Sequence, residues 1–296
     1  MNEYIVNYPT FTKKIVYYFP PKHHGGIGDY IKFFMFTLQL CIQHNIQLYY
    51  QVTHSDLEKF LKLKYAMMYI HAEDMKQSRF IQKEEIDHLP DHIYHIVQPY
   101  TLYDTFEDDS LRNIQDVFYF SNEVLSNSYK LYSHSDYISI HLRLGDKFLE
   151  TDQQFIQCYE DTRKYNEDIL YSTIENNKNH HILFFCDNNQ FKLKINNKYD
   201  HVHITNSTIG HTAYYNTTEK QTLDAVTEFY LISKSKMIYA VSKSGFSIIE
   251  PFLASVMAKG LTTVSCSRGE AFLSRLAFAS TMLSLWRVVF WRLSII

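Results

Sequence analysis

The run Tyr137-Ile138-Ser139-Ile140-His141-Leu142-Arg143-Leu144-Gly145-Asp146 is the stretch of the chain best fitted to chemistry. Its period-2 alternation sends Ile138, Ile140 and Leu142 to one face of a strand and Ser139, His141 and Arg143 to the other. An arginine at the carboxyl end of a strand, followed by a glycine that permits a tight turn, suits a phosphate-bearing ligand, because the planar guanidinium grips oxyanions with two parallel hydrogen bonds. In an open α/β sheet that end of the strand is where ligands bind. The same residues also fit an ordinary surface ion pair between Arg143 and Asp146. Beyond the motif, Glu150 and Asp152 are carboxylates within reach of such a site.

Three further segments carry polar groups at element ends. Gly25-Gly26-Ile27-Gly28-Asp29 has no Gly-Lys-Ser/Thr ending, which excludes a P-loop, and the third glycine of a dinucleotide fingerprint would fall at Ile31. It leaves a glycine turn, with Gly26 and Gly28, that starts a helix whose amides can face an anion or a sugar hydroxyl. A tight turn with no ligand is the alternative. Ser242-Lys243-Ser244-Gly245-Phe246-Ser247 places hydroxyls and amides at a strand-to-helix junction, which makes either a phosphate cradle or a simple N-cap by Ser244. Asp187 ends an apolar strand and either accepts from ribose hydroxyls or a base edge, or belongs to an Asp-Asn-Asn turn.

The elements that would position these groups alternate strand and helix. Lys14 to Phe19 reads as a buried strand ended by Pro20-Pro21, Tyr30 to Asn45 as a helix, Gln47 to Val52 as a strand and Ser55 to Leu63 as a helix. Ile93 to Val97 reads as a strand and Asp109 to Tyr132 as a helix. Polar Ser133-His134-Ser135 marks a domain boundary. A second series follows the motif strand, with helices over Phe155 to Asn176, Glu219 to Ser233 and Phe246 to Ala258. Its strands are His181 to Cys186, His201 to Thr205 and Met237 to Val241. Two consecutive series without repeats predict an α/β chain of two Rossmann-like domains facing a cleft, residues 1–133 and 134–260.

At 296 residues and 46 % apolar content the chain can supply two cores. A net charge of −3 at pH 7 argues against a general nucleic-acid or anionic-membrane binder. Cys41, Cys158, Cys186 and Cys266 form no paired metal-ligand spacing, and apolar neighbours make Cys41 and Cys186 buried free thiols. Residues 1–14 lack the apolar core of a signal peptide, so a cytoplasmic setting is the expectation. From Ala258 onward the chain has a single lysine, Lys259, no Asn, Asp, His or Tyr, and both tryptophans. It also holds Arg268, Arg275, Arg287 and Arg292. Residues 261–296 therefore read as an atypical tail of different origin, or as a terminal helix packing across the domains or touching a membrane surface. The arginines among residues 271–296 argue against a spanning segment.

Taken in order, Gly-Gly-Ile-Gly-Asp29, His141-Leu142-Arg143-Leu144-Gly145-Asp146, Phe-Phe-Cys-Asp187 and Phe229-Tyr230-Leu231-Ile232-Ser233 leading to Ser244-Gly245-Phe246-Ser247 resemble the α1,2-, α1,6- and protein O-fucosyltransferase superfamily. The resemblance spans about Lys14 to Met257 and implies a GT-B-like fold that uses GDP-fucose as donor substrate. It implies that Arg143 contacts the diphosphate, that His141, Gly145 and Asp146 hold the loop and nucleotide, and that Ser244, Phe246 and Ser247 sit at the phosphates and fucose. Asp187 would lie near the nucleoside. It further implies inverting transfer to a glycan hydroxyl without a metal or other cofactor, in keeping with the absence of an Asp-x-Asp. The base would be a carboxylate, by position Glu150 first, Asp152 second and Asp29 third, each of which taken singly also reads as a solvated surface acid. Leu144 and Asp29 depart from the arginine and asparagine frequent in the family, and the aromatic pair that follows the last motif in the α1,2 branch is missing. The alternatives are a GT-B transferase of another nucleotide sugar and a non-catalytic GDP- or carbohydrate-binding relative.

Overall fold

The strand and helix alternation builds two sheets in which every pairing is parallel. The computed structural model describes residues 1–19, 25–51, 55–71, 74, 78–97, 114–149, 163–207, 210–212, 217–242, 244 and 264–265. α1 (Asn2–Asn7) leads to β1 (Lys14–Tyr18), α2 (Ile27–Gln43) and β2 (Gln47–Gln51). α3 (Ser55–Phe60), β3 (Leu61–Leu63), β4 (Arg79–Phe80), β5 (Tyr94–Val97), α4 (Ile114–Val117), β6 (Phe118–Phe120) and α5 (Asn122–Leu131) follow. The second series is β7 (Ile138–Leu142), α6 (Glu167–Asn176), β8 (Ile182–Cys186), α7 (Asn189–Lys198), β9 (Val202–Ile204), α8 (Glu219–Lys234), β10 (Ile238–Ala240) and β11 (Val264–Ser265).

The first sheet has the order β2-β1-β5-β4 and the second β11-β10-β7-β8-β9. All five residues of β7 are buried, because this strand lies mid-sheet with both faces covered. Ile138, Ile140 and Leu142 share a core with Leu170, Ile174 and Ile195. On β8 the same two-residue period divides the side chains between cores. Phe184 joins that cluster, while Leu183 and Phe185 join a larger one containing Phe229 and Ile232 of α8.

α2 is buried at 14 of its 17 residues, so it is an interior helix rather than a surface one. Its aromatic side chains pack edge-on: Phe34 meets Tyr17 at 5.5 Å and Phe118 at 5.1 Å between ring centres. The Tyr17 hydroxyl donates to the Tyr30 carbonyl at 3.0 Å, which ties β1 to the start of α2.

Two expected helices are corrected. The segment read as a helix from Ser55 to Leu63 leaves the helix after Phe60, and the one from Asp109 to Tyr132 is broken by β6. Leu61–Leu63 and Phe118–Phe120 each bury alternate residues and pair antiparallel as a short ribbon. That two-residue apolar period outweighs the helical reading of the flanking sequence. Ser121 then caps α5 by accepting from the Val124 amide. Likewise α6 starts only at Glu167, where the Asn166 side chain accepts from the Asp168 and Ile169 amides at 2.8 and 3.3 Å. Residues 155–162 of that expected helix, and the helix expected over Phe246 to Ala258, lie outside the described residues.

Cys41 and Cys186 are buried free thiols, and burial pushes both up from the ordinary thiol range. Among the described residues no helix is long and apolar enough to cross a membrane. Both strand-and-helix series fall within one compact unit, Met1–Cys266. Of the atypical tail, only Val264–Ser265 is described, as the strand beside β10.

Candidate active site

In the second sheet the strand order reverses between β7 and β10: the chain runs from β7 outward through β8 and β9, then returns to the other side of β7. Loops leaving the two strands at such a switch point diverge and open a crevice at their carboxyl ends. Arg143 follows β7 there, and its amide donates to the Ser242 hydroxyl beyond β10 at 2.7 Å. The loop then turns at Gly145, whose φ of 114° and ψ of 168° belong to a region that glycine alone occupies freely.

Two carboxylates fix the arginine. Asp146 pairs with Nη2 and Asp187 with Nη1, the latter at 3.1 Å. Asp187 also accepts from the Leu144 amide at 2.7 Å and the Gly145 amide at 3.0 Å. Both oxygens of Asp187 are therefore engaged by the arginine loop, which it helps to hold. The Arg143–Asp146 pair read from the sequence as a surface feature exists, but it is largely withdrawn from solvent: its side chains are 15 % and 7 % exposed. A guanidinium held from two sides loses little further freedom on meeting an anion, which is preorganisation of the kind an oxyanion site requires.

The glycine loop forms another wall of the same cleft, with Gly26, Gly28 and Asp29 lining it beside His141, Arg143, Asp187 and Ser244. At Gly25, φ is +102°, and a Cβ there would stand 2.4 Å from an Asp29 carboxylate oxygen, so backbone and space both require glycine. The Ile27 amide, one of those expected to face a ligand, donates to the Thr212 hydroxyl at 2.9 Å. The first amide of α2 is thus capped from within the protein. Asp29 pairs with Lys32 at 3.0 Å, one turn along α2.

His141 is buried, and desolvation together with the Arg143 and Lys192 charges pushes its imidazole down to about 3. It is neutral at neutral pH and can offer one donor and one acceptor. Several lining groups carry no motif: Arg163, Ser207, His211, Thr212 and Glu228. Arg163 is docked by its amide, which donates to the Leu144 carbonyl at 2.7 Å. Lys192, fully buried on α7, bonds Glu228 on α8 at 2.8 Å.

Of the residues singled out in the sequence, Gly26, Gly28, Asp29, His141, Arg143, Asp187 and Ser244 meet at one cleft, with Gly145 and Asp146 in the loop behind the arginine. Glu150, Asp152, Phe246 and Ser247 lie outside the described residues. Among the described residues no cluster of three or more His, Cys, Asp or Glu side chains is arranged to hold a metal.

No protein-family model and no curated protein sequence matches the chain. Solved structures do. The NodZ α1,6-fucosyltransferase soaked with GDP-fucose superposes with a TM-score of 0.52 at 11 % identity, over 81 % of this chain and 92 % of that one. The NodZ fucosyltransferase from Bradyrhizobium gives 0.51 at 10 % identity over 80 % and 91 %. A point mutant of Arabidopsis thaliana FUT1 in complex with GDP gives 0.53 at 10 % identity over 82 % and 68 %. The chain is thus an α/β protein of parallel sheets with the fold found in these fucosyltransferase structures.

Proposed function

We propose that this chain is a glycosyltransferase that moves fucose from GDP-fucose to a glycan hydroxyl with inversion, on a GT-B-like arrangement of two Rossmann-like domains, residues 1–133 and 134–260. The observation that carries the reading is Arg143, fixed by Asp146 and Asp187 at the switch point of a sheet whose fold is that of fucosyltransferase structures. In the transfer, the acceptor oxygen bonds to the anomeric carbon, the bond from that carbon to the diphosphate breaks, and the electron pair leaves with GDP. Arg143 and the Ser244–Ser247 segment offset the charge that grows on the leaving diphosphate, with no metal needed. The acceptor proton passes to a carboxylate, Glu150 first, then Asp152 or Asp29. Asp29, which lines the cleft beside Lys32, stands on the wall that would face the acceptor.

Calorimetric titration with GDP, GDP-fucose, GDP-mannose and UDP-galactose, with GDP release followed in parallel, tests this. The expected result is binding of GDP and GDP-fucose, slow GDP release from GDP-fucose, and loss of GDP affinity in Arg143→Ala. Preference for a uridine nucleotide would instead assign another donor. GDP binding with no release under any acceptor would mark a non-catalytic relative, and unchanged affinity in Arg143→Ala would remove the phosphate assignment.

A further inference from the structure

The cleft contains a polar cluster that the motifs do not touch. Lys192 has a fully buried side chain, and its ammonium donates to Thr205 Oγ1 and Ser207 Oγ, each at 3.1 Å, and to Glu228 Oε1 at 2.8 Å. Three acceptors match the three protons of a charged ammonium. The hydroxyls of Thr205 and Ser207 in turn donate to the same Oε1. One carboxylate oxygen thus receives three donors. The other oxygen, Oε2, has no hydrogen bond to a described residue. Glu228 and Ser207 both line the cleft that holds Arg143.

Oε2 is not among the buried side-chain atoms left without a partner, so it is open to whatever fills the cleft. Here one oxygen is locked and its partner is left to the cleft. A negative oxygen repels a diphosphate, so its complement is a neutral part of the ligand that bears N–H or O–H groups, as a nucleoside does.

We propose that Lys192 is a positioning residue: with Thr205 and Ser207 it holds Glu228 turned so that Oε2 accepts a hydrogen bond from the nucleoside part of the donor substrate. This rests on the cleft being the nucleotide site proposed above. Lys192 never touches the ligand; it acts through Glu228. Losing the cation removes the donor that locks Oε1 and leaves the carboxylate free to turn away from the ligand.

The test is the affinity for GDP, with guanosine and inorganic pyrophosphate titrated beside it, so that a loss at the nucleoside end is told from a loss at the phosphate end. Lys192→Met is expected to bind GDP at least about tenfold more weakly and to lose guanosine affinity in the same proportion, with pyrophosphate affinity unchanged. Glu228→Gln is expected to show the same pattern, and Lys192→Arg to restore most of the affinity for GDP and guanosine. If Lys192→Met does not fold, the Lys192→Met/Glu228→Gln pair removes both charges together, the change that buried ion pairs tolerate best. That double variant is expected to fold and to bind GDP weakly. Wild-type GDP affinity in Lys192→Met or in the double variant, or a Lys192→Met loss that falls equally on pyrophosphate, would overturn the proposal. Failure of the wild-type chain to bind GDP at all would overturn the nucleotide-site reading and this inference with it.

Discussion

Neutral, buried His141 makes stability depend on acid in a calculable way. Its imidazole is pushed down to about 3 in the folded chain, first by desolvation and then by Arg143 and Lys192, against about 6.5 when unfolded. Between those values the unfolded chain binds a proton that the folded chain does not, so stability falls as pH falls through that window and is unaffected by this group above it. Moving from about pH 7.5 to about pH 5 protonates the unfolded imidazole almost fully, which costs about 2 kcal/mol. His141→Asn keeps a polar side chain at the strand end and does not titrate. Urea unfolding of both proteins at the two pH values gives a double difference in which the other histidines cancel. Wild type should lose about 2 kcal/mol more than the variant. Equal losses would show that His141 titrates alike in both states, and the argument from burial and neighbouring cations would fail.

Other expectations follow from the arginine loop and the cleft wall. Asp187→Asn presents an amide to donors that now meet a carboxylate, and should lower unfolding stability by about 2–4 kcal/mol and GDP affinity with it, read by denaturant titration and calorimetry. Gly145→Ala, at φ 114°, forces a side chain into glycine-only backbone space; a loss of about 1–3 kcal/mol in urea unfolding is expected. Arg163→Ala, which removes a second guanidinium from the cleft lining, should weaken GDP binding about three- to tenfold. It should also flatten the salt dependence of that affinity, because an exposed cation acts through a screened field.

Much of the second sheet was legible because its strands are short apolar runs with sharp ends: Ile182–Cys186 closes on Asp187 and Ile138–Leu142 on Arg143. Long helical readings failed where a short run that alternates in burial, as in Phe118-Tyr119-Phe120, lay inside a helix-like composition. At the site, the sequence pointed to residues that end strands, and the cleft gathers them. It was silent on Arg163 and Thr212, which reach the cleft from loops with no periodic signal. Lys192 left a faint trace. It shares a helical face with Ile195 and Tyr199, and a lysine in phase with buried apolar residues needs an internal partner. Asp187 does more than its place at a strand end foretold. It lines the cleft, and its oxygens also accept from backbone amides that only the folded loop brings near.

The hydrogen bond from the Ile27 amide to the Thr212 hydroxyl joins residues 185 positions apart. An early turn of α2 therefore waits for a loop that follows β9, made late in the chain, before its first amide is satisfied. Such a contact closes a long loop, at a cost that grows only with the logarithm of its length. The two segments are thereby tied across the cleft, so any opening that parts them releases the Ile27 amide, and exchange of its hydrogen is the gauge of that opening.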